Sequence, residues 1–282
     1  MKNKNLIIYL LFTFGIITFF LSCEKSDNSL LSNSESTTVE KSAKYPYESY
    51  FIEIGQYHNS VLDYVGKNGD VSKLTREQRF ILAESYTKSG NKWSDIKVLG
   101  DNLWLIIESD SSIVTLLDTK AFSSEALAYI EMLNTCFDNA LLSAQHGNPP
   151  RPEDFNYSVN EIIGKIYEEE KVIVDTTKGI GNEYALIVAD CYLAKATYEY
   201  WYNSAVDSKS YWYGYLDLYA SSKLPPWIQR AWHGIKVAAV DTWAWVTYGG
   251  EEYEDPETGE TGYFWYLPRA NKIASQASAT VE

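Results

Sequence analysis

The sequence predicts an all-α protein, an irregular multi-helix bundle of about six or seven helices with a small C-terminal β-hairpin. Apolar residues recur every three or four positions through most of the chain after residue 45. Alternation with a period of two is confined to the stretch between Tyr248 and Leu267, and no internal repeat of fixed length is present. We therefore expect a single helical domain over residues 45–282, after a leader (1–22) and a flexible tether (23–44).

The helices follow in order from apolar periodicity and from capping signals at their starts. Capping boxes are present at Thr75-Arg76-Glu77-Gln78 and at Ser158-Val159-Asn160-Glu161, and each predicts the start of a helix. Pro225-Pro226 predicts the start of the last helix, which ends near Val246. The other predicted helices are Pro46–Lys67, a shorter one over Leu99–Ser109, one from Ser123 to Ser143, and one from Asn182 to Asn203.

The β-hairpin is predicted from Glu251–Glu254 and Thr261–Tyr266, which flank Asp255–Glu260. Pro256 and Gly259 favour a turn between them. The acidic residues of this turn do not follow the spacing of a calcium loop, and a solvated hairpin tip is the simpler interpretation.

The N-terminal residues have the features of a secretory leader. Lys2 and Lys4 precede an apolar run that ends at Phe20. At about 15 residues, this run is shorter than the ~20 residues that span a bilayer. The alternative to a cleaved leader is a short N-terminal anchor helix that is not removed. The segment Phe20-Leu21-Ser22-Cys23 resembles the end of a lipoprotein signal peptide of the Bacteroidota type. The resemblance implies removal of residues 1–22, lipidation of Cys23 with chains such as palmitate, and attachment to the outer membrane on its periplasmic or its surface face.

Charge and composition narrow the classes of partner. Removal of Lys2 and Lys4 with the leader leaves 22 basic and 38 acidic residues, a formal charge of −16. Such a chain is unsuited to nonspecific binding of nucleic acid, which needs basic groups that neutralise phosphates. Residues 24–44 are rich in Ser, Asn and charge and predict a flexible spacer between lipid and domain.

His58, Asn59 and Asp241 are the polar residues that stand out on apolar helices. His58 shares a helix face with Val61 and Leu62, and Asp241 follows Ala238-Ala239-Val240. A buried carboxylate is costly unless it is paired, and His58 is a suitable partner where the first and last helices pack together. His58, Asn59 and Asp241 then form a buried polar clamp, or His58 and Asp241 form a catalytic pair. A third alternative is that Asp241 is exposed on the surface. The catalytic alternative lacks a nucleophile, because no Gly-x-Ser-x-Gly motif is present.

Two short motifs in these helices resemble features of uncharacterised exported proteins and lipoproteins of the Bacteroidota. The segment Gly55-Gln56-Tyr57-His58-Asn59-Ser60-Val61-Leu62 is similar to their Gly-x-x-His-Asn-x-x-Leu helix. Ala238-Ala239-Val240-Asp241 is similar to an Ala-Ala-x-Asp element near their C-terminus. The resemblance implies an exported or lipid-anchored protein and implies no particular activity.

Aromatic residues are dense between Tyr198 and Tyr219, and they fill the core or form a binding surface. Four rings in five residues cannot all point inward from one helix or strand, so the candidate binding surface consists of Tyr211, Trp212, Tyr213 and Tyr215. Glycans and envelope proteins are the partners that such a surface would seat.

Cys136 and Cys191 are the two cysteines that the tether does not use. An exported compartment permits a disulfide between them, and two buried free thiols are the alternative. No Cys/His cluster has metal-site spacing, and no cofactor is implied.

Three functions remain open at this stage. The first is a lipid-anchored, non-catalytic binding or structural module of the cell envelope. The second is a hydrolase that uses His58 and Asp241. The third is a membrane-active, toxin-like protein that inserts its Trp-rich last helix.

Overall fold

The computed structural model describes residues 44–109, 112–117, 122–174, 182–220, 224–248, 250–254, 261–265 and 267–281. The predicted leader, Cys23 and the tether up to residue 43 lie outside the described residues. The described part of the chain contains nine α-helices, a short 3-10 helix over Ile113–Leu116 and two short strands. The all-α class is therefore confirmed, with more helices than the six or seven predicted.

Three helices come first: α1 (Glu48–Asn68), α2 (Arg76–Thr87) and α3 (Trp93–Glu108). The predicted capping box before α2 is confirmed, because the Thr75 hydroxyl accepts from the Gln78 N–H and the Gln78 side chain accepts from the Thr75 N–H. Helix α3 begins at Trp93 and not at Leu99. Its first buried residue is Ile96, one turn before the predicted start, so the helical pattern begins earlier than the prediction placed it.

The next three helices are α4 (Ser124–Gln145), α5 (Pro152–Glu168) and α6 (Glu183–Val206). Ser123 caps α4 as predicted. The prediction that the box at Ser158 opens a helix is wrong. Helix α5 begins at Pro152, which suits the first helical position because it needs no N–H donor there, and Ser158 lies inside the helix with its hydroxyl donating to the Asp154 carbonyl.

The last helices are α7 (Tyr213–Asp217), α8 (Pro226–Tyr248) and α9 (Leu267–Thr280). The prediction that α8 is the final helix is wrong, because α9 follows it. Four of the buried apolar positions of α9, Ala270, Ile273, Ala274 and Ala277, do recur at helical spacing, but three of the four are alanine, so the larger apolar side chains that marked the other helices are few. Between α8 and α9, strand β1 (Gly250–Glu254) pairs antiparallel with β2 (Thr261–Trp265), and the predicted turn at 255–260 lies outside the described residues.

Helices α6 and α8 occupy the centre of the bundle. Every side chain from Tyr184 to Ala194 on α6 is buried, and so is every side chain from Ile228 to Val246 on α8 except that of Trp232. Burial on all sides is typical of a helix that other helices surround. Helix α6 packs most extensively against α8 and α1, and this places one face of α1 over the core.

Helix α9 lies among α1, α2, α3 and α8 and is buried although much of it is polar. Its polar side chains have partners around them: Trp245 Nε1 of α8 donates to Asn271 at 2.8 Å, and Asn91, in the loop between α2 and α3, donates to Gln276 at 2.7 Å. At its C-terminal end, Arg79 Nε donates to the Ala279 carbonyl at 2.7 Å. These bonds satisfy groups that would otherwise be buried without partners, which is why a polar helix is stable in this position.

Candidate functional site

The structure brings His58 and Asp241 together inside the bundle. His58 lies on α1, Asp241 lies on α8, and both side chains are 0% exposed. The His58 Nε2 atom is 3.4 Å from Asp241 Oδ2, which is within ion-pair range but outside hydrogen-bond geometry. Solvent has no access to the pair in this conformation, so a substrate in solution cannot reach it.

Asn59 connects this pair to α6. Its Oδ1 atom is 3.1 Å from His58 Nδ1, and its Nδ2 atom donates to the Ala196 carbonyl at 3.2 Å. Because the amide nitrogen faces a carbonyl, the amide oxygen faces the imidazole, and the network assigns the hydrogen to His58 Nδ1. The orientation of the Asn59 amide is therefore fixed from two sides.

Groups from three other helices converge on the Asp241 carboxyl of α8, the first of them His58 of α1. Trp201 Nε1 on α6 donates to Oδ2 at 3.0 Å, and Ser278 on α9 lies beside the carboxyl without hydrogen-bond geometry. Burial raises the pKa of the Asp241 carboxyl, and the neighbouring His58 opposes that rise. The pair is electrically neutral when one further proton, besides the hydrogen on His58 Nδ1, lies on Nε2 or on the Asp241 carboxyl, and burial favours a neutral pair.

A cleft of about 450 Å³ lies between α1 and α6, and Asn59 forms part of its wall. The cleft therefore lies on one side of Asn59 and the buried pair on the other. Its size is in the range of small-molecule sites. The other amide side chains in the wall are Gln56, Asn156 and Asn203, and the charged ones are Glu48, Lys195 and Glu199.

Two of the three charged groups of this cleft, Glu48 and Lys195, already have partners. Tyr192 donates its hydroxyl to Glu48 at 2.8 Å, and Lys195 donates to Asn160 at 2.8 Å while its ammonium lies 4.6 Å from the Tyr192 ring centroid. Burial lowers the pKa of Lys195, and nearby acids, Glu48 first among them, oppose this. In contrast, Asn156 Oδ1 is buried without a hydrogen-bond partner.

Sequence reasoning missed this cleft, although a signal was present. Lys195, Glu199 and Asn203 recur at intervals of four on α6, and Ile52, Gln56 and Asn59 recur at three or four on α1. Such spacing places each set on one helix face. Each set alone resembles a solvated helix surface, and only the packing of α1 on α6 makes them face each other.

The predicted aromatic binding surface is wrong for two of its four members. Trp212 is 0% exposed and Tyr215 is 1% exposed, and both belong to the core. Trp212 Nε1 donates to the Leu62 carbonyl at 3.3 Å, and the Tyr215 hydroxyl donates to the Val281 carbonyl. Tyr211 is exposed, and Tyr213 lies under the Arg230 guanidinium, whose carbon is 4.1 Å from the ring centroid. Because Trp212 and Tyr215 lie in the core while Tyr211 is exposed and Tyr213 is half-buried, the four rings form no common binding surface.

The disulfide that an exported compartment would permit between Cys136 and Cys191 is not formed. Cys136 on α4 and Cys191 on α6 are both free, Cys191 fully buried and Cys136 partly so. Burial raises the pKa of the Cys136 thiol to about 11 and raises that of Cys191 as well. Both thiols are therefore protonated near neutral pH, and they pack in the interior as small apolar groups.

Asp190 on α6 is a second buried carboxyl that the sequence analysis did not identify. It is fully buried, neither of its oxygens has a hydrogen-bond partner, and burial raises its pKa well above the usual value. The signal was the one that identified Asp241, an acid within an apolar run, here the run from Tyr184 to Ala194.

Among the described residues, no group of three or more His, Cys, Asp or Glu side chains is arranged to hold a metal ion. Within the same ranges, no helix has both the length and the apolar character needed to cross a membrane. Comparisons of this chain with protein-family models, with curated proteins and with solved structures found no significant match.

Proposed function

We propose that this protein is a lipid-anchored, non-catalytic binding protein of the cell envelope, and that the cleft between α1 and α6 is its binding site. The observation that carries the proposal is the position of Asn59. This side chain forms part of the cleft wall and is held from behind by the buried His58–Asp241 pair.

The buried pair then acts as a support for a binding group. His58 fixes the Asn59 oxygen, and the Ala196 carbonyl fixes one hydrogen of the Asn59 nitrogen. One N–H and one oxygen lone pair of the amide are left for a ligand. A group that is already oriented loses less conformational entropy on binding, so this arrangement favours affinity.

The same geometry weighs against the hydrolase alternative. Asp241 and Asn59 are the groups that face the two ring nitrogens of His58, and the ring itself is 0% exposed. A general base needs an open path to the proton that it removes. For the membrane-active alternative, Trp243 and Trp245 of α8 are in the core, at 1% and 0% exposure, so this helix has no free apolar face to insert.

The lipid anchor and the envelope address rest on the sequence, through Lys2, Lys4, the apolar run and Ser22-Cys23. The test is expression of the full chain with and without Cys23→Ala, followed by labelling with a fatty-acid analogue and membrane fractionation. We expect Cys23 to be labelled and the variant to leave the membrane fraction. A variant that is processed yet remains in the membrane would contradict lipid anchoring.

The binding role is tested by retention of envelope material on the immobilised full chain. We expect the wild type to retain material that Asn59→Ala does not retain, while Ser60→Ala, at the next and exposed position of α1, behaves like the wild type. Periodate treatment of the extract removes glycans and protease treatment removes proteins, so the two classes of partner are distinguished. Equal retention by the wild type and Asn59→Ala would contradict the proposed site.

A further inference from the structure

The cleft between α1 and α6 is unusually rich in primary amides. Four of them form its walls: Gln56 and Asn59 from α1, Asn156 from α5 and Asn203 from α6. Each amide both donates and accepts hydrogen bonds, as a hydroxyl group does. A wall of amides therefore matches a ligand that presents several hydroxyl groups at short intervals.

The charges of the cleft disfavour an anionic ligand. Glu48, Glu199 and Lys195 together give a formal charge of −1, and the Lys195 ammonium is already bonded to Asn160. An anion such as a uronate or a phosphate would meet excess negative charge without a free cation to pair with. The rings of Tyr192 and Tyr200 and the side chain of Ile52 supply apolar wall between the amides.

The polar groups of the cleft wall differ in how far they are free for a ligand. The Tyr192 and Tyr200 hydroxyls already donate to Glu48 and Asp63, at 2.8 and 3.0 Å, and Asn156 Oδ1 is buried out of reach of solvent. The Gln56 and Asn203 amides are at exposed positions, so they and Asn59 are the groups that a ligand can contact.

We infer that the ligand of this cleft is a neutral, polyhydroxylated molecule, a saccharide unit of an envelope or extracellular glycan. This inference rests on the proposed function, since it names the ligand class of the same site. The hydroxyl groups bond to the amides of Gln56, Asn59 and Asn203, and the C–H faces of the sugar pack against the tyrosine rings.

The test is binding of the mature full chain, kept in a detergent without a sugar head group, to an array of neutral and acidic glycans and to a set of tripeptides. Neutral glycans that bind are then titrated by calorimetry. We expect neutral glycans to be retained and Gln56→Ala and Asn203→Ala to weaken their binding by at least about tenfold. Both substitutions are at exposed positions of the cleft wall, and Asn102→Ala, at an exposed position of α3, is the matched control that retains full affinity.

The outcomes separate the ligand class from the site. If only acidic glycans or tripeptides are retained, and Gln56→Ala and Asn203→Ala abolish this retention, the neutral saccharide is the wrong ligand class but the cleft is still the binding site. Neutral glycans that bind equally to the wild type and to both variants would overturn the saccharide assignment for this cleft. If no probe binds and retention of envelope material does not depend on Asn59, both the ligand and the proposed function are wrong.

Discussion

Gly55 of α1 lies directly against Ala196 of α6: a Cβ atom built at Gly55 would be 2.3 Å from the Cβ atom of Ala196. Only a residue without a side chain allows the two helices to come this close. The approach also lets Asn59, one turn further along α1, reach the Ala196 carbonyl. One glycine therefore determines both the packing of α1 on α6 and the geometry of the cleft wall.

We expect Gly55→Ala to lower the free energy of unfolding by about 1–3 kcal/mol, because the added methyl group forces the two helices apart. The matched control is Gly100→Ala on α3, where the nearest atom to an added Cβ is the end of the Arg76 side chain at 3.9 Å. That control gains helix propensity and is expected to be unchanged or more stable by up to about 1 kcal/mol. Urea unfolding monitors both, and a Gly55→Ala protein as stable as the wild type would contradict the close contact.

The His58–Asp241 pair is expected to behave as a unit in a double-mutant cycle. His58→Leu or Asp241→Asn alone leaves a buried polar partner without compensation, and each is expected to cost about 3 kcal/mol. The double variant should cost less than the sum of the two, with a coupling energy of at least about 1 kcal/mol. The measurement is urea unfolding of the four proteins at one pH; costs that add to within about 0.5 kcal/mol would show that the two residues act independently.

Asp190 gives a prediction of opposite sign, because its removal is expected to stabilise the protein. Burial raises its pKa in the folded state, so the folded carboxyl keeps its proton to a higher pH than the unfolded one does. Unfolding then releases a proton, and the stability falls as the pH rises above the unfolded-state pKa of about 3.9.

Asp190→Leu removes this proton release and the unpartnered carboxyl together. We expect it to raise the free energy of unfolding at pH 7 by about 1–3 kcal/mol, with a smaller advantage near pH 4. Urea unfolding of both proteins between pH 4 and pH 8 gives the two slopes. The exposed Glu53→Gln change on α1 serves as control, and a variant with the same pH dependence as the wild type would show that Asp190 ionises normally.

Much of the fold could be predicted from local patterns, because α2 and α4 combine apolar periodicity with clear caps, α1 shows the periodicity and α6 has a clear cap at Asn182. The proximity of His58 and Asp241 also followed from the cost of a buried carboxylate, although the sequence contains no information on the distance between them. Helix α9 was not predicted, because its apolar positions are mostly alanine and its polar side chains are stabilised by Trp245 of α8 and by Asn91 in the loop after α2, which are far away in the chain. The binding surface predicted from Tyr211, Trp212, Tyr213 and Tyr215 was wrong for a related reason, because the turn after α6 determines which of these rings face inward.

Arg79 is expected to be the main link between α9 and the rest of the bundle. It is 2% exposed, its Nε donates to the Ala279 carbonyl and its Nη1 to the Leu74 carbonyl, and its guanidinium carbon lies 4.7 Å from the centroid of the Tyr215 ring. Lysine cannot reproduce this arrangement, because an ammonium group lacks the planar fork that bonds in two directions and stacks on a ring.

We expect Arg79→Lys to lower the free energy of unfolding by about 2–4 kcal/mol and to speed hydrogen exchange in α9 more than elsewhere. The matched control is Arg151→Lys, the same change in an exposed pair with Asp154, which should cost less than about 0.5 kcal/mol. Urea unfolding and amide exchange by mass spectrometry measure the two effects. If both substitutions have the same small cost, the buried guanidinium does not hold α9 in place, and the polar contacts of Asn271 and Gln276 would have to be sufficient.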